Sequence, residues 1–164
     1  MIFFHLCYNK VDNDSSTNYD NTKKGETMRY LGVDYGDVRT GLAVSDASAF
    51  LASGIGYISE GGMKNTACRV AKEAKERDIQ KIVVGLPRNM DGSEGERSQV
   101  VRAFVALLQE ETAVPVVLFD ERLSTMEAHR YLNTTATHGK RRKKVVDTLS
   151  AQIILQDYLD KIRA

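Results

Sequence analysis

Asp34-Tyr-Gly-Asp-Val-Arg39-Thr-Gly-Leu-Ala-Val-Ser45-Asp46 is the stretch of sequence that decides the fold. An apolar segment that starts at Tyr30 delivers the Asp34 carboxylate to its end, and a turn containing Gly36 follows. Gly can take backbone angles that other residues avoid, so the chain can turn and return as a second apolar strand over 40–45. This pattern predicts a β-hairpin with an acid at its mouth. Such an acid serves a metal or a phosphate, or it is an ordinary turn residue; the segment alone leaves both open.

Composition and charge limit the function classes. The chain has 164 residues, 42% of them hydrophobic, which suits one globular domain without a membrane-spanning run. Its net charge of +1 neither requires nor excludes a nucleic-acid partner. The cysteines and histidines are scattered, which argues against a zinc site and a disulfide framework and favours a reducing cytoplasm. They are Cys7, Cys68, His5, His129 and His138.

The first 27 residues differ in composition from the rest. The stretch 12–27 is rich in Asn, Asp, Ser and Thr, so it cannot bury enough apolar surface to fold alone. Met28 directly precedes the first predicted strand. We therefore predict one folded domain over 28–164, preceded over 1–27 by a disordered extension or by residues that a start codon assigned too early has added.

Hydrophobic periodicity gives the order of the elements. The predicted strands are 29–34, 40–45, 52–59, 80–86 and 114–120, and the predicted helices are 65–77, 96–110, 125–132 and 143–162. Only short turns separate the first three strands, as between antiparallel neighbours, whereas the last two alternate with helices. The prediction is an α/β fold with a mixed five-stranded sheet, three antiparallel strands followed by two parallel ones, flanked by helices.

Carboxylates recur at the ends of these elements. Asp34 ends the first strand, Asp120 and Glu121 end the last, and Asp147 lies in the first turns of the C-terminal helix. Helical spacing places Asp147 on one face with Ala151, where an acid is costly to bury unless it is paired or binds a metal. Each acid alone could be a cap or part of a surface salt bridge. Together they suggest a hard-cation site with oxygen ligands.

Four motifs resemble those of the YqgF/RuvX family in order and spacing. They are the 34–46 stretch, Val84-Gly-Leu-Pro-Arg-Asn-Met-Asp-Gly-Ser-Glu-Gly95, Asp120-Glu-Arg-Leu-Ser124 and Lys143-Lys-Val-Val-Asp147. Members of that family have an RNase H-like fold and are described as Holliday junction resolvases or pre-16S rRNA nucleases. The resemblance extends over about 29–160.

The resemblance implies that Asp34, Glu121 and Asp147 are catalytic acids that bind Mg²⁺, with Mn²⁺ as the alternative. Neighbouring strand residues point to opposite faces, so Asp120 and Glu121 cannot both face one metal without a bulge or a strand end. We choose Glu121 and leave Asp120 open. Asp37 departs from the pattern, because family members often carry a smaller uncharged residue there.

Basic residues accompany these motifs and predict contacts to a nucleic acid, since each neutralised phosphate adds salt-sensitive affinity. A run of five precedes Asp147, and four arginines belong to the motifs or follow them closely. These residues are Arg39, Arg88, Arg97, Arg122, Lys140, Arg141, Arg142, Lys143 and Lys144. The alternative for the basic run is a solvated loop.

The predicted function is metal-dependent hydrolysis of phosphodiester bonds in structured nucleic acid, at the 5′ end of pre-16S rRNA during ribosome biogenesis. The alternatives are a Holliday junction resolvase acting on branched DNA, a non-catalytic ribosome-assembly module and, from another class, a sugar or acetate kinase-like protein. The kinase fold normally needs two such domains. The predicted location is the cytoplasm, with ribosomal particles as possible partners. The sequence does not determine whether the substrate is RNA or DNA, where it is cleaved, or whether the protein is a monomer or a homodimer.

Residues 1–27 are expected to be dispensable, because their composition does not support a packed structure. A variant that begins at Met28 should keep the thermal midpoint and the activity of the full chain. Thermal unfolding followed by circular dichroism tests this. A lower midpoint in the shortened variant would show that the extension packs on the domain.

Overall fold

A computed structural model describes residues 28–59, 61–120 and 140–164, the last with side chains from 148 onward. Its first two strands, β1 (Tyr30–Asp34) and β2 (Thr40–Ser45), are antiparallel, with Asp34 opposite Gly41. The turn between them is tight: a Cβ atom added to Gly36 would lie 2.2 Å from the carbonyl oxygen of Arg39. The predicted hairpin is therefore confirmed, with Asp34 at its mouth.

The other three strands complete one mixed sheet. They are β3 (Ala52–Ile58), β4 (Lys81–Leu86) and β5 (Val116–Asp120), and the strand order is β3-β2-β1-β4-β5. β3 pairs with β2 in antiparallel fashion, whereas β4 runs parallel to both β1 and β5. This confirms the predicted RNase H-like arrangement of three antiparallel strands followed by two parallel ones.

In the part of the chain that the structure describes, three helices flank the sheet: α1 (Met63–Glu76), α2 (Glu96–Glu111) and α3 (Lys140–Arg163). The predicted C-terminal helix is confirmed but begins three residues earlier, so the basic run lies within it. The predicted helix over 125–132 falls outside the described residues. Among those that are described, no helix is long and apolar enough to span a membrane.

The two faces of the sheet bury different sets of side chains. Leu31, Val33, Ile82 and Val84 pack with α1 and α2 on one face. Tyr30, Ala43, Val83 and Phe119 pack with α3 on the other. The central strands are thus covered on both sides, which explains why 79–86 is continuously apolar.

Helix α3 lies close against β1 because Gly32 carries no side chain. A Cβ atom at Gly32 would lie 2.7 Å from Leu155 Cβ and 2.8 Å from the Ala151 carbonyl oxygen. Contacts with β3 give the direction of the helix. Gln156 Nε2 donates a hydrogen bond to the Phe50 carbonyl before β3 begins, whereas Thr148 lies against Gly54 within the strand.

Substituting Gly32 with Ala should destabilise the protein by about 1–3 kcal/mol, because the new methyl group would overlap backbone and side-chain atoms of α3. Urea unfolding measures this loss. Gly61→Ala is the matched control, since an added Cβ there meets no atom within 4 Å. Equal stability of the two variants would show that α3 shifts away from β1 at no cost.

Candidate active site at the carboxyl edge of the sheet

Asp34 lies half-buried at the carboxyl end of the central strand β1. Its sheet face follows from the register. Gly32 pairs with Ala43 and Val83, both of which pack beneath α3, and Asp34 is two residues further along the same strand. Because alternate residues of a strand share a face, the Asp34 side chain is on the α3 side of the sheet.

Asp120, at the end of β5, belongs to the opposite face. It pairs with Leu86, which packs with α1 and α2, whereas its neighbour Phe119 packs with α3. The Asp120 carboxylate lies 3.6 Å from an Arg88 guanidinium nitrogen. Asp120 is therefore on the face opposite to that of Asp34, and Glu121 is outside the described residues.

The backbone of Asp147 belongs to α3, in the part whose side chains are not described. Ala151 and Ile154, four and seven residues later, are buried against the sheet, as the spacing predicted. Gly32 contacts Ala151, which fixes the level of α3 against β1. The two residues from Gly32 to Asp34 cover about 6.6 Å along the strand, and the four residues from Ala151 back to Asp147 cover about 6 Å along the helix. Since α3 runs with its N-terminal end toward the Asp34 end of the sheet, these two steps bring positions 34 and 147 to the same level.

The described donors at this edge are oxygen atoms. Within the described ranges no group of three His, Cys, Asp or Glu side chains forms a metal cluster. The predicted set needs Glu121 and Asp147, whose side chains lie outside those ranges. The described cysteine, Cys68, lies on α1. A carboxylate-only set fits Mg²⁺ or Mn²⁺ rather than a softer metal.

Arg88 belongs to a network of charges that ties the 87–95 loop to α2. Glu94 accepts hydrogen bonds from Arg88 at 3.0 Å and from two nitrogens of Arg102 at 2.6 and 2.7 Å. The hydrogen bonds from Arg102, followed by the charges of Arg102 and Arg88, lower the pKa of Glu94 to about 2 despite some desolvation. The buried Arg88 Nε has no hydrogen-bond partner among the described residues.

Arg97, in the first turn of α2, is bound to the turn of the hairpin. One guanidinium nitrogen donates to the Asp37 carboxylate at 2.7 Å and another to the Tyr35 carbonyl at 2.6 Å. The guanidinium also lies over the Tyr35 ring, 5.6 Å from its centre, and that ring stacks on Phe104 of α2. The turn that follows Asp34 is therefore tied to α2 by charge and by ring stacking.

The remaining predicted basic residues are placed only in part. Arg39 begins the return of the hairpin and lies over the Tyr57 ring, 5.0 Å from its centre. Residues 140–144 form the start of α3 in the structure, so the alternative of a solvated loop before the helix does not hold. Arg122 lies outside the described residues. Sequence reasoning missed Glu94 and Arg102, because nothing in the local pattern signals an ion pair between a loop and the second turn of a helix.

Glu94 should make the stability of the protein depend on pH. A carboxyl group whose pKa is lowered by folding stabilises the fold above its ordinary pKa, and this contribution is lost as the pH falls. For Glu94 the window runs from 4.5 down to about 2. The Glu94→Gln variant should therefore be less stable than wild type at neutral pH, and the difference should shrink across this window.

Thermal midpoints of both proteins across the acid range provide the measurement. Glu110→Gln, which removes an exposed carboxylate near the end of α2, controls for the loss of one charge. A difference that stayed constant down to the lowest pH would contradict the role of the two arginines.

Comparison with protein families and curated proteins identifies relatives. The family model described as "RuvX: Holliday junction resolvase" matches residues 28–161. A protein of Clostridium novyi (strain NT) is 42% identical over 135 residues, covering 82% of this chain and 100% of the relative. One of Bacillus licheniformis is 43% identical over 139 residues, covering 84% and 100%. Both are named "Putative pre-16S rRNA nuclease".

Comparison with solved structures gives more distant similarity. The structure of Thermus thermophilus RuvC aligns with a TM-score of 0.49 at 15% identity, covering 82% of this chain and 96% of the other. Fowlpox virus resolvase with its Holliday junction DNA aligns with a TM-score of 0.45 at 10% identity, covering 84% and 100%. On the extent of the family match and the identity to these full-length relatives, the chain belongs to the RuvX family, whose members are named as nucleases or resolvases.

Proposed function

We propose that this protein is a nuclease that hydrolyses phosphodiester bonds at the carboxyl edge of its sheet, with Asp34, Glu121 and Asp147 as the catalytic acids. The carrying observation is the placement of Asp34 at the end of the central strand, on the face that α3 covers. Two observations support Glu121 and Asp147 as its partners: Asp120 is on the opposite face of the sheet, and α3 runs with its N-terminal end toward the Asp34 end of β1.

A divalent cation fits this donor set, because carboxylates are the ligands that Mg²⁺ and Mn²⁺ accept. Asp34, Glu121 and Asp147 would hold it. When bound, such ions activate a water molecule and stabilise the attacking and leaving oxygens of an in-line displacement. Of the three acids, Asp34 has a described side chain, and it lies on a strand that is packed on both faces of the sheet.

The start of α3 supports nucleic-acid binding at the same end of the molecule. Five consecutive basic residues, 140–144, belong to its first turns, and no acidic residue offsets them there. Basic residues at a helix N-terminus oppose the helix dipole, and a bound phosphate would relieve this because helix N-termini favour anions. The run would thus contact phosphates beside Asp147, together with Arg39, Arg88, Arg97 and Arg122.

The proposed substrate is the 5′ end of pre-16S rRNA in the cytoplasm, following the names of the 38–44% identical relatives. Branched DNA is the second candidate, favoured by the description of the matching family model. Two symmetric cuts in a four-way junction need a two-fold dimer, whereas trimming an RNA end needs only one site. Cleavage assays that compare a precursor rRNA fragment with junction DNA in Mg²⁺, with the mass of the active species measured in parallel, distinguish the two.

The substitutions Asp34→Asn, Glu121→Gln and Asp147→Asn should each lower cleavage by about 100-fold or more, the usual cost of losing one electrostatic contact to a transition state. Each keeps the shape of the side chain, so the thermal midpoint should change little. The measurement is the single-turnover cleavage rate at saturating Mg²⁺.

Asp120→Asn is the matched control, because Asp120 neighbours Glu121 in sequence but belongs to the α1 and α2 face. It should retain most of the activity. If Asp120→Asn abolished cleavage and Glu121→Gln did not, the choice between these two acids would have to be reversed. If all four variants cleaved at the wild-type rate, the proposed site would be wrong.

A further inference from the structure

Asp37 lies three residues beyond Asp34, in the turn of the hairpin. It pairs there with Arg97 of α2, at the same edge of the sheet. The Asp37 side chain is 68% exposed and that of Arg97 is 40% exposed. Their 2.7 Å contact is therefore open to solvent and to any polyanion that approaches the edge. An exposed pair of this kind contributes little to stability.

Arg97 has the chemistry of a phosphate ligand. Its planar guanidinium offers parallel N–H donors that match a phosphate as well as they match a carboxylate. In the structure one donor is directed to Asp37 and one to the Tyr35 carbonyl, while the Tyr35 ring supports the guanidinium from below. The Tyr35 contacts hold Arg97 at the edge whether or not Asp37 is bound.

We infer that Asp37 is an internal competitor of the substrate: it occupies Arg97 in the free protein and must be displaced before Arg97 contacts a nucleic-acid phosphate. This inference rests on the proposed function, since it concerns phosphates that flank the cleaved bond. It adds to that function a residue that lowers affinity. Because the Tyr35 contacts remain, the exchange needs only one ion pair to be replaced by another.

The competition makes a specific prediction for binding. Asp37→Asn should tighten binding about two- to five-fold, the range expected from releasing an exposed ion pair. The gain should shrink as the salt concentration rises, because salt screens the ion pair that Asp37 forms with Arg97. The Arg97→Gln variant should bind more weakly, and Asp37→Asn should have no further effect in that background.

The probes are a fluorescently labelled single-stranded RNA and a labelled duplex DNA of mixed sequence, titrated with full-length protein in EDTA across a range of salt concentrations. EDTA prevents metal-dependent cleavage, so binding is measured independently of catalysis. Asp78→Asn is the charge-matched control. Asp78 lies in the turn before β4, at the opposite edge of the sheet, and Asn tolerates its positive φ of 51°.

Three outcomes would overturn the inference. Asp37→Asn could bind no more tightly than Asp78→Asn. It could instead weaken binding as Arg97→Gln does, which would mean that the ion pair stabilises the conformation that binds nucleic acid. It could also tighten binding equally with and without Arg97, which would mean simple repulsion between Asp37 and phosphate. If Arg97→Gln failed to fold, Arg97→Met would replace it in the same comparison, because it keeps a long unbranched side chain over the Tyr35 ring without the charge.

Failure of the inference and failure of the proposed function are distinguishable. Cleavage that depends on Asp34, combined with a flat response to Asp37→Asn, overturns only the inference. Absence of binding to both probes in wild type and in every variant overturns nucleic-acid recognition, and the inference with it.

Discussion

The close approach of α3 to the central strand at Gly32 is the constraint on which the candidate site depends. With no side chain at this position, Ala151 and Leu155 lie directly against the backbone of β1. A larger residue would hold the helix further from the sheet and would separate the Asp34 end of β1 from the start of α3. Gly54 on β3 likewise lets Thr148 of α3 come close, because an added Cβ at Gly54 would overlap the Thr148 methyl group. The helix therefore packs closely against the sheet at two points, and at both of them the sheet residue is a glycine.

The two-faced sheet then determines which acids can act together. Asp34 is on the face of α3, whereas Asp120 is on the face of α1 and α2 and pairs with Arg88. One position along a strand is enough to change the face, so two adjacent carboxylates have separate environments. Through its contact with Arg88, Asp120 is tied to the 87–95 loop.

Much of the fold could be predicted because the strands are short, apolar and bounded by turn residues. The differences lie at the ends. β5 begins at Val116 rather than at residue 114, since Pro115 has no N–H to donate, although its carbonyl accepts a hydrogen bond from Ile82. The face of Ala151 and Ile154 on α3 was also predictable, because helical periodicity records burial.

The partners of the arginines could not be predicted in the same way. Arg97 and Asp37 are 60 residues apart in sequence, and Arg102 and Glu94 belong to a helix and a loop. No local pattern records such pairs, because they depend on how the helices pack on the sheet. Sequence motifs therefore identified which residues are basic but not which of them are already neutralised.

These arginines are paired with carboxylates because several positive charges lie at one edge of the sheet. Arg88 and Arg102 share Glu94, and Arg97 is bound to Asp37, so clustered cations are held together by internal anions when no polyanion is present. Unpaired, they would repel one another and destabilise the edge on which Asp34 lies. The same carboxylates compete with phosphates for the arginines, so stability of the free protein and affinity for a nucleic acid are opposed at this edge. Glu94 is held by two arginines and is less than half as exposed as Asp37, at 28% against 68%. Glu94 therefore mainly holds the 87–95 loop to α2. Asp37, which pairs with one exposed arginine, is the carboxylate that a phosphate can replace.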